Sequence, residues 1–169
     1  MMKEAGYDGQ PLRQLSPTDL PSVTATSQVV TDVLQRLGFN LDLAVSDWGT
    51  VVQRRASREP LSKGGWSVFC TTYSWFEFAD PAVNVGIRGN GPNAYFGWPT
   101  APRLEELRDS WFEASNDATR KSIAEEMQRV AMDELPLVPL GGAFVTTAFS
   151  RSLVDRIVAL PLFWGIRRA

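Results

Sequence analysis

The order of hydrophobic periods constrains this chain most: between residues 12 and 72 the apolar spacing passes from strand to helix and back, twice, over short connections. After the turn Tyr7-Asp8-Gly9-Gln10-Pro11, Leu12 and Leu15 stand among polar neighbours and predict a short strand. From Thr24 to Leu37 the residues Val30, Val33, Leu34 and Leu37 fall at i, i+3, i+4 and i+7, one stripe of an amphipathic helix. Gly38 stops it, with Phe39 placed to pack back over the last turn. Leu41, Leu43 and Val45 alternate with Asp42 and Ala44, so the next strand has one apolar face. Ser46 or Asp47 is suited to cap a second helix that turns Trp48, Val51 and Val52 inward and Gln53, Arg54 and Arg58 to water, ending by Pro60. Gly64-Gly65 then leads into a third strand, Trp66 to Thr72. This order predicts an α/β layer with right-handed crossovers. Such sheets bind ligands beyond the carboxyl ends of their strands, which directs attention to the residues just after Thr72.

Pro81 to Pro99, dense in Gly, Pro and Asn, reads as a long loop of the kind that is functional or mobile. A helix follows, capped by Thr100, with Pro102 in its first turn and Leu104, Leu107 and Trp111 along one side. Another starts near Asn116 or Asp117, turns Ile123, Met127 and Val130 inward and ends before Pro136, making a helical hairpin. Two extended pieces, Leu137 to Leu140 and Phe144 to Phe149, precede a tail from Arg151 to Ala169. The reading is one domain spanning 1–169.

Composition removes much chemistry. With no His among 169 residues, a Ser-His-Asp triad, a Cys-His pair, histidine-ligated zinc and imidazole acid-base catalysis are all absent. The lone Cys70 is expected to be a small buried hydrophobe, and it leaves the redox compartment open. A formal charge of -2 provides no excess of positive charge for a phosphate backbone, so nucleic acid is not an expected partner. The most apolar stretch, Leu135 to Phe149, is broken by prolines and glycines and is too short for a membrane span. The N-terminus lacks the apolar core of a secretory signal, as in a cytoplasmic protein or a piece of a longer one.

Gly89-Asn90-Gly91-Pro92-Asn93-Ala94 fits a dinucleotide fingerprint by letter, but Pro92 and the run Tyr95-Phe96-Gly97-Trp98-Pro99 stand where the fingerprint needs a helix. Trp66 and Phe69 lie inside the predicted strand, where core packing is their ordinary role. Tyr73, Trp75 and Phe76 come just past its end in a loop, where large amphipathic side chains serve binding. Glu77 and Asp80 have the composition of a glycosidase carboxylate pair, although Asp80 before Pro81 is more simply an Asx turn. Arg54-Arg55 and Arg167-Arg168 read as solvated basic pairs.

Ordered segments along nearly the whole chain then carry a resemblance. Lys3-Glu4-Ala5-Gly6-Tyr7-Asp8-Gly9, Leu37-Gly38-Phe39, Asp47 to Arg55, Gly65-Trp66-Ser67-Val68-Phe69, Asp80-Pro81, Ala94 to Trp98 and Pro136 to Leu140 together resemble the extracellular solute-binding proteins of the peptide and nickel transporter family. The resemblance implies an α/β fold like a lobe of a type II periplasmic binding protein, a mixed sheet flanked by helices. It also implies the C-terminal lobe of a longer two-lobed receptor, exported to the periplasm, with residues 151–169 returning toward the other lobe. Its partners would be a peptide or other small solute, the N-terminal lobe of the same protein and the importer's permease. No catalysis, cofactor or metal is expected. Tyr73, Trp75 and Phe76 would line the cleft, with Glu77 as the polar anchor. Peptide-binding relatives carry an aspartate shortly after a tryptophan in this loop, where Glu77 is here the only acid between Trp75 and Ala79; dipeptide binders use an arginine for the ligand carboxylate, and Ser22 to Gln28 has none. A longer peptide read through its backbone, or an apolar or opine-like solute, fits such a wall better than a dipeptide. Two rivals are a carboxylate-dependent hydrolase using Glu77 and Asp80, and an interaction module docking through Leu160 to Trp164.

Overall fold

A computed structural model describes residues 2–144, 146, 148–155 and 164–169. The chain divides into two compact units, Met1–Leu137 and Val138–Ala169.

The first unit is built on a three-stranded parallel sheet of order β2-β1-β3, with β1 at Pro11–Pro17, β2 at Asn40–Ser46 and β3 at Val68–Phe69. The connecting helices are α1, Pro21–Arg36, and α2, Trp48–Arg54. The first crossover steps from β1 to one side and the second passes back over β1 to the other, so right-handed connections put α1 and α2 on opposite faces. Side chains alternate across β1 accordingly. Gln14, fully buried, meets α1, its Nε2 donating to the Ser27 carbonyl at 2.9 Å and its Oε1 accepting from the Thr31 hydroxyl at 3.3 Å. Leu15 turns to the opposite face and is as fully buried as Val51 of α2.

Local chemistry sets the helix ends. Gly38 adopts φ +89°, its N–H donating to Gln35 and that of Phe39 to Leu34, a Schellman ending in which only glycine takes the left-handed conformation freely. Phe39 packs edge-on against Tyr7 with ring centroids 4.8 Å apart. Asp47 caps α2, accepting from the Thr50 hydroxyl at 2.6 Å and backbone N–H at 2.9 Å. The Thr50 hydroxyl foremost, with that N–H, holds the Asp47 carboxyl below its ordinary range.

Three expectations need correction. The buried stripe of α1 is Val23 and Ser27, with Val30 and Leu34 half-buried, while Val33 and Leu37 are exposed. The helix begins earlier than its apolar period suggests, with Pro21 in a pre-formed first turn, and its inward stripe runs through 23, 27, 30 and 34, leaving 33 and 37 to one side of it. The apolar face of β2 is left partly open: Leu43 and Val45 are exposed, lining a groove of about 270 Å³ with Pro17, Thr18, Thr24 and Gln28. Only two residues of the third strand pair, Val68 with Gln14 and Phe69 with Leu15, so the strand ends well before Thr72.

Helices α4, Pro102–Glu113, and α5, Asp117–Glu134, form the expected hairpin and bury Leu104, Leu107 and Met127. Asn116 caps α5 through the Thr119 N–H at 2.9 Å. Ala101, not Thr100, occupies the cap position of α4, because Thr100 bridges back to Asn90. The segment between Pro81 and Pro99 is no slack loop. Arg108 donates to the carbonyls of Pro81 and Ala82, and Glu105 receives Arg88 Nη2 at 2.8 Å and the Gly89 N–H at 2.7 Å.

Glu105 supplies a pH prediction. Burial raises its carboxyl, but hydrogen bonds from Arg88 and Gly89 and the charges of Arg88 and Arg108 outweigh this and leave it below the ordinary value. A depressed folded-state pKa gives stability that is present above the unfolded-state pKa and lost as pH falls through the folded one. Glu105→Gln is therefore expected to lower the melting temperature at pH 7, with a difference from the parent that shrinks on titration into the acid range. A difference constant with pH would contradict the pairing.

In the second unit, β4 at Leu153–Val154 pairs antiparallel with β5 at Arg167–Arg168, reinforced by an Arg167–Asp155 ion pair and the Ala169 N–H donating to Ser152 at 2.8 Å. No strand forms among the described residues of 137–149. Residues 160–163 of the segment considered for partner docking lie outside the described residues; Trp164 is exposed.

Candidate functional site

The carboxyl ends of β1 and β3 lie side by side in the strand order, and parallel sheets meet ligands beyond the carboxyl ends of their strands. The chain leaving β3 runs through buried Cys70 and reaches Tyr73 before turning into a short helix, α3, Trp75–Phe78, where the sequence reading expects a loop. The helix exists because of reciprocal capping. The Ser74 hydroxyl accepts from the Phe76 N–H at 3.4 Å while Glu77 Oε2 accepts from the Ser74 N–H at 2.9 Å. One turn held in this way projects Trp75 and Phe76 outward, 71% and 54% exposed.

Tyr73 does not join them. Its ring stacks on Phe78 at 4.7 Å and its hydroxyl donates to Tyr95 Oη at 2.5 Å, drawing in the segment 94–98. Tyr95 also receives Arg55 Nη1 at 3.2 Å, and the Arg55 guanidinium lies 4.5 Å from the Phe96 ring centre, with Phe69 and Trp48 at 5.9 and 5.8 Å. Burial above all, and then the Tyr73 hydroxyl, push the Tyr95 phenol far above its usual value, so it stays protonated at every working pH. Arg55 therefore departs from the expected solvated face: it is half-buried among rings, whereas Arg54 donates to the Gly64 carbonyl and Arg58 lies over Trp98. Tyr95, Phe96 and Arg55 escaped the sequence reading. The aromatic density of 95–98 was the available signal; Arg55 had none, because apart from Trp48 its partners Phe69, Tyr95 and Phe96 lie 14, 40 and 41 residues away in the chain.

The two acids play local roles. Glu77 closes its own helix and Asp80 Oδ1 accepts from the Ala82 N–H at 2.7 Å, the Asx turn expected before a proline. Gly91 opens a single 3₁₀ turn, Gly91–Asn93, and no α-helix opens on the fingerprint-like segment, the next one starting at Pro102. No group of three or more metal-ligating side chains occurs among the described residues. Burial raises the Cys70 thiol, which keeps it a neutral packing group. A wider hollow of about 560 Å³ runs along α5 past Glu125, Arg129 and Asp133, but it is lined by that one helix face alone.

No protein-family model matches the chain. Over its whole length the chain is 39% identical to a probable peptide ABC transporter periplasmic-binding protein, y4tO, of Sinorhizobium fredii (strain NBRC 101917 / NGR234), and it spans 32% of that protein, about a third. The crystal structure of NikA from Staphylococcus aureus in complex with Ni(L-His)2 matches 80% of the chain, and 28% of NikA itself, with a TM-score of 0.62 at 11% identity. The fold is thus that of part of a periplasmic binding protein. In sequence the chain resembles, along its whole length, part of a probable peptide ABC transporter periplasmic-binding protein.

Proposed function

We propose that this chain is the C-terminal ligand-binding lobe of a two-lobed periplasmic receptor that captures a peptide or similar small solute and delivers it to the permease of an ABC importer. The observation that carries this reading is the 39% identity, over the whole of this chain, to about a third of a probable peptide ABC transporter periplasmic-binding protein. The aromatic wall at the carboxyl edge of the sheet supports it. Trp75 and Phe76 present apolar area on a rigid capped turn, suited to contacting a solute through non-directional burial while backbone hydrogen bonds orient it. Glu77, engaged in the cap, contributes by holding that turn in place. The site performs no chemistry: a wall of rings, one cation and neutral hydroxyls binds and orients, and closure of a second lobe over it would complete the burial.

Two measurements test the reading. The full-length receptor is expected to bind tripeptides at least 100-fold more tightly than residues 1–169 alone, because one wall removes only part of the ligand surface from water; micromolar binding by the isolated chain would overturn it. In the full-length protein, Trp75→Ala is expected to weaken peptide binding by about 2 kcal/mol, roughly thirty-fold, the value of burying one large aromatic side chain. Calorimetric titration reads both, and an unchanged affinity in the variant would remove Trp75 from the cleft.

A further inference from the structure

We propose that the polypeptide preceding residue 1 in the longer receptor packs along an apolar flank of α1 and pairs with the free edge of β3. This rests on the receptor reading and adds an internal interface to it. Val29, Val33 and Leu37 recur at i, i+4 and i+8, one row along the helix and its cap, and they are 64%, 48% and 56% exposed. The other flank of α1 is occupied: Thr24, Gln28 and Thr31 line the groove against Leu43 and Val45 of β2. The row therefore faces away from β2, toward the β3 side, where the buried Cys70 thiol meets the Ser27 side chain under the helix. β3 has a matching gap. Among the described residues it pairs with β1 alone, through two residues. The Ser67 N–H is given to the Arg13 carbonyl at 2.8 Å, and successive residues of a strand aim their backbone groups to alternate sides, so those of Val68 point away from β1. An apolar row beside an unpaired sheet edge is a surface that folded proteins cover.

Chain length and the point of entry identify the occupant. The chain spans 32% of y4tO, so a receptor of that size keeps about two thirds of its residues elsewhere, and under the receptor reading they precede residue 1. The first described residues lie at the end of the row. The Tyr7 hydroxyl accepts the Asn40 N–H at 2.8 Å and its ring packs on Phe39, two residues beyond Leu37. A segment leading into residue 2 thus arrives close to Leu37 and needs no long connection to run back past Val33 and Val29. The row is wholly aliphatic, so the face that covers it is apolar, and burying three such side chains favours a stable contact. On the other side of the sheet the chain covers β3 itself: Phe69 meets Tyr95 and Phe96, with ring centroids 6.4 and 6.3 Å apart.

The test labels single thiols in the full-length receptor. Val33→Cys is a small change of volume, and Gln35→Cys, exposed on the opposite flank of α1, is the control. Iodoacetamide is expected to modify the Val33→Cys thiol about a hundred-fold more slowly than the Gln35→Cys thiol, read by peptide mass spectrometry, because the docked segment must open first. In the parent receptor the Val68 amide is expected to exchange with deuterium about as slowly as that of Leu15. Equal labelling rates, or a Val68 amide that exchanges as fast as an open strand edge, overturns the proposal. Protection that vanishes on dilution of the receptor also overturns it, since that is the mass-action mark of a second copy. Tripeptide titration of the same protein keeps the two readings apart. Binding with an unprotected Val33→Cys thiol rejects the interface alone; protection without binding of any tripeptide rejects the peptide reading and supports the interface.

Discussion

Leu15→Ala is expected to lower the unfolding free energy by about 3–4 kcal/mol, within the range for deleting a fully buried leucine side chain. Leu15 sits at the middle of the central strand, paired with Ala44 on one side and Phe69 on the other, and is wholly inaccessible. Because β2 and β3 do not touch each other in the sheet order, every lateral contact in this sheet passes through β1. A cavity at Leu15 therefore cannot be closed by a small shift of one neighbour without disturbing the register of another. Urea denaturation followed by circular dichroism gives the difference in midpoint. A loss under about 1 kcal/mol would mean that the face opposite α1 is not the packed core of this unit.

Gly65→Ala is expected to be nearly as damaging, about 3 kcal/mol, for a steric reason that backbone dihedrals alone do not reveal. A Cβ at Gly65 would lie 1.7 Å from the Glu59 carbonyl oxygen and 2.9 Å from the Pro60 carbonyl carbon, both main-chain atoms. The turn cannot open without losing the Gly65 N–H bond to Pro60 at 3.0 Å, and Arg13 of β1 reaches the same turn at the Leu61 carbonyl, 2.7 Å away. The neighbouring position provides the control. Gly64 has φ +90° with open space around the missing Cβ, so Gly64→Ala is expected to cost only about 1–2 kcal/mol, the penalty of a left-handed conformation. Equal midpoints for the two variants would show that conformation rather than close approach dominates at this turn.

Much of the architecture was legible from local pattern. The Gly38 ending, the Asp47 cap, the Asn116 cap and the stop before Pro136 rest on interactions within a few residues, so composition and spacing suffice to place them. The alternation of helix and strand gave the parallel sheet, and through it the edge at which ligands are met. The errors share a cause. The buried stripe of α1, the open face of β2 and the short β3 depend on which strand lies where, and a periodic pattern records only that one face is apolar, not whether a neighbour covers it. Among the candidate residues, Trp75 and Phe76 are placed outward as expected of binding side chains, while Tyr73 and Glu77 are drawn into a ring cluster and a capping box.

Chain order alone established the element sequence, the lack of imidazole chemistry and the candidate stretch after β3, because each depends on residues close together in the chain. The gathering of Arg55, Tyr73 and Tyr95 into one cluster belongs to the folded molecule. Their separations of 18, 22 and 40 residues are closed by the crossover through α2 and by the pinned segment after Pro81, and no local rule specifies where such connections return.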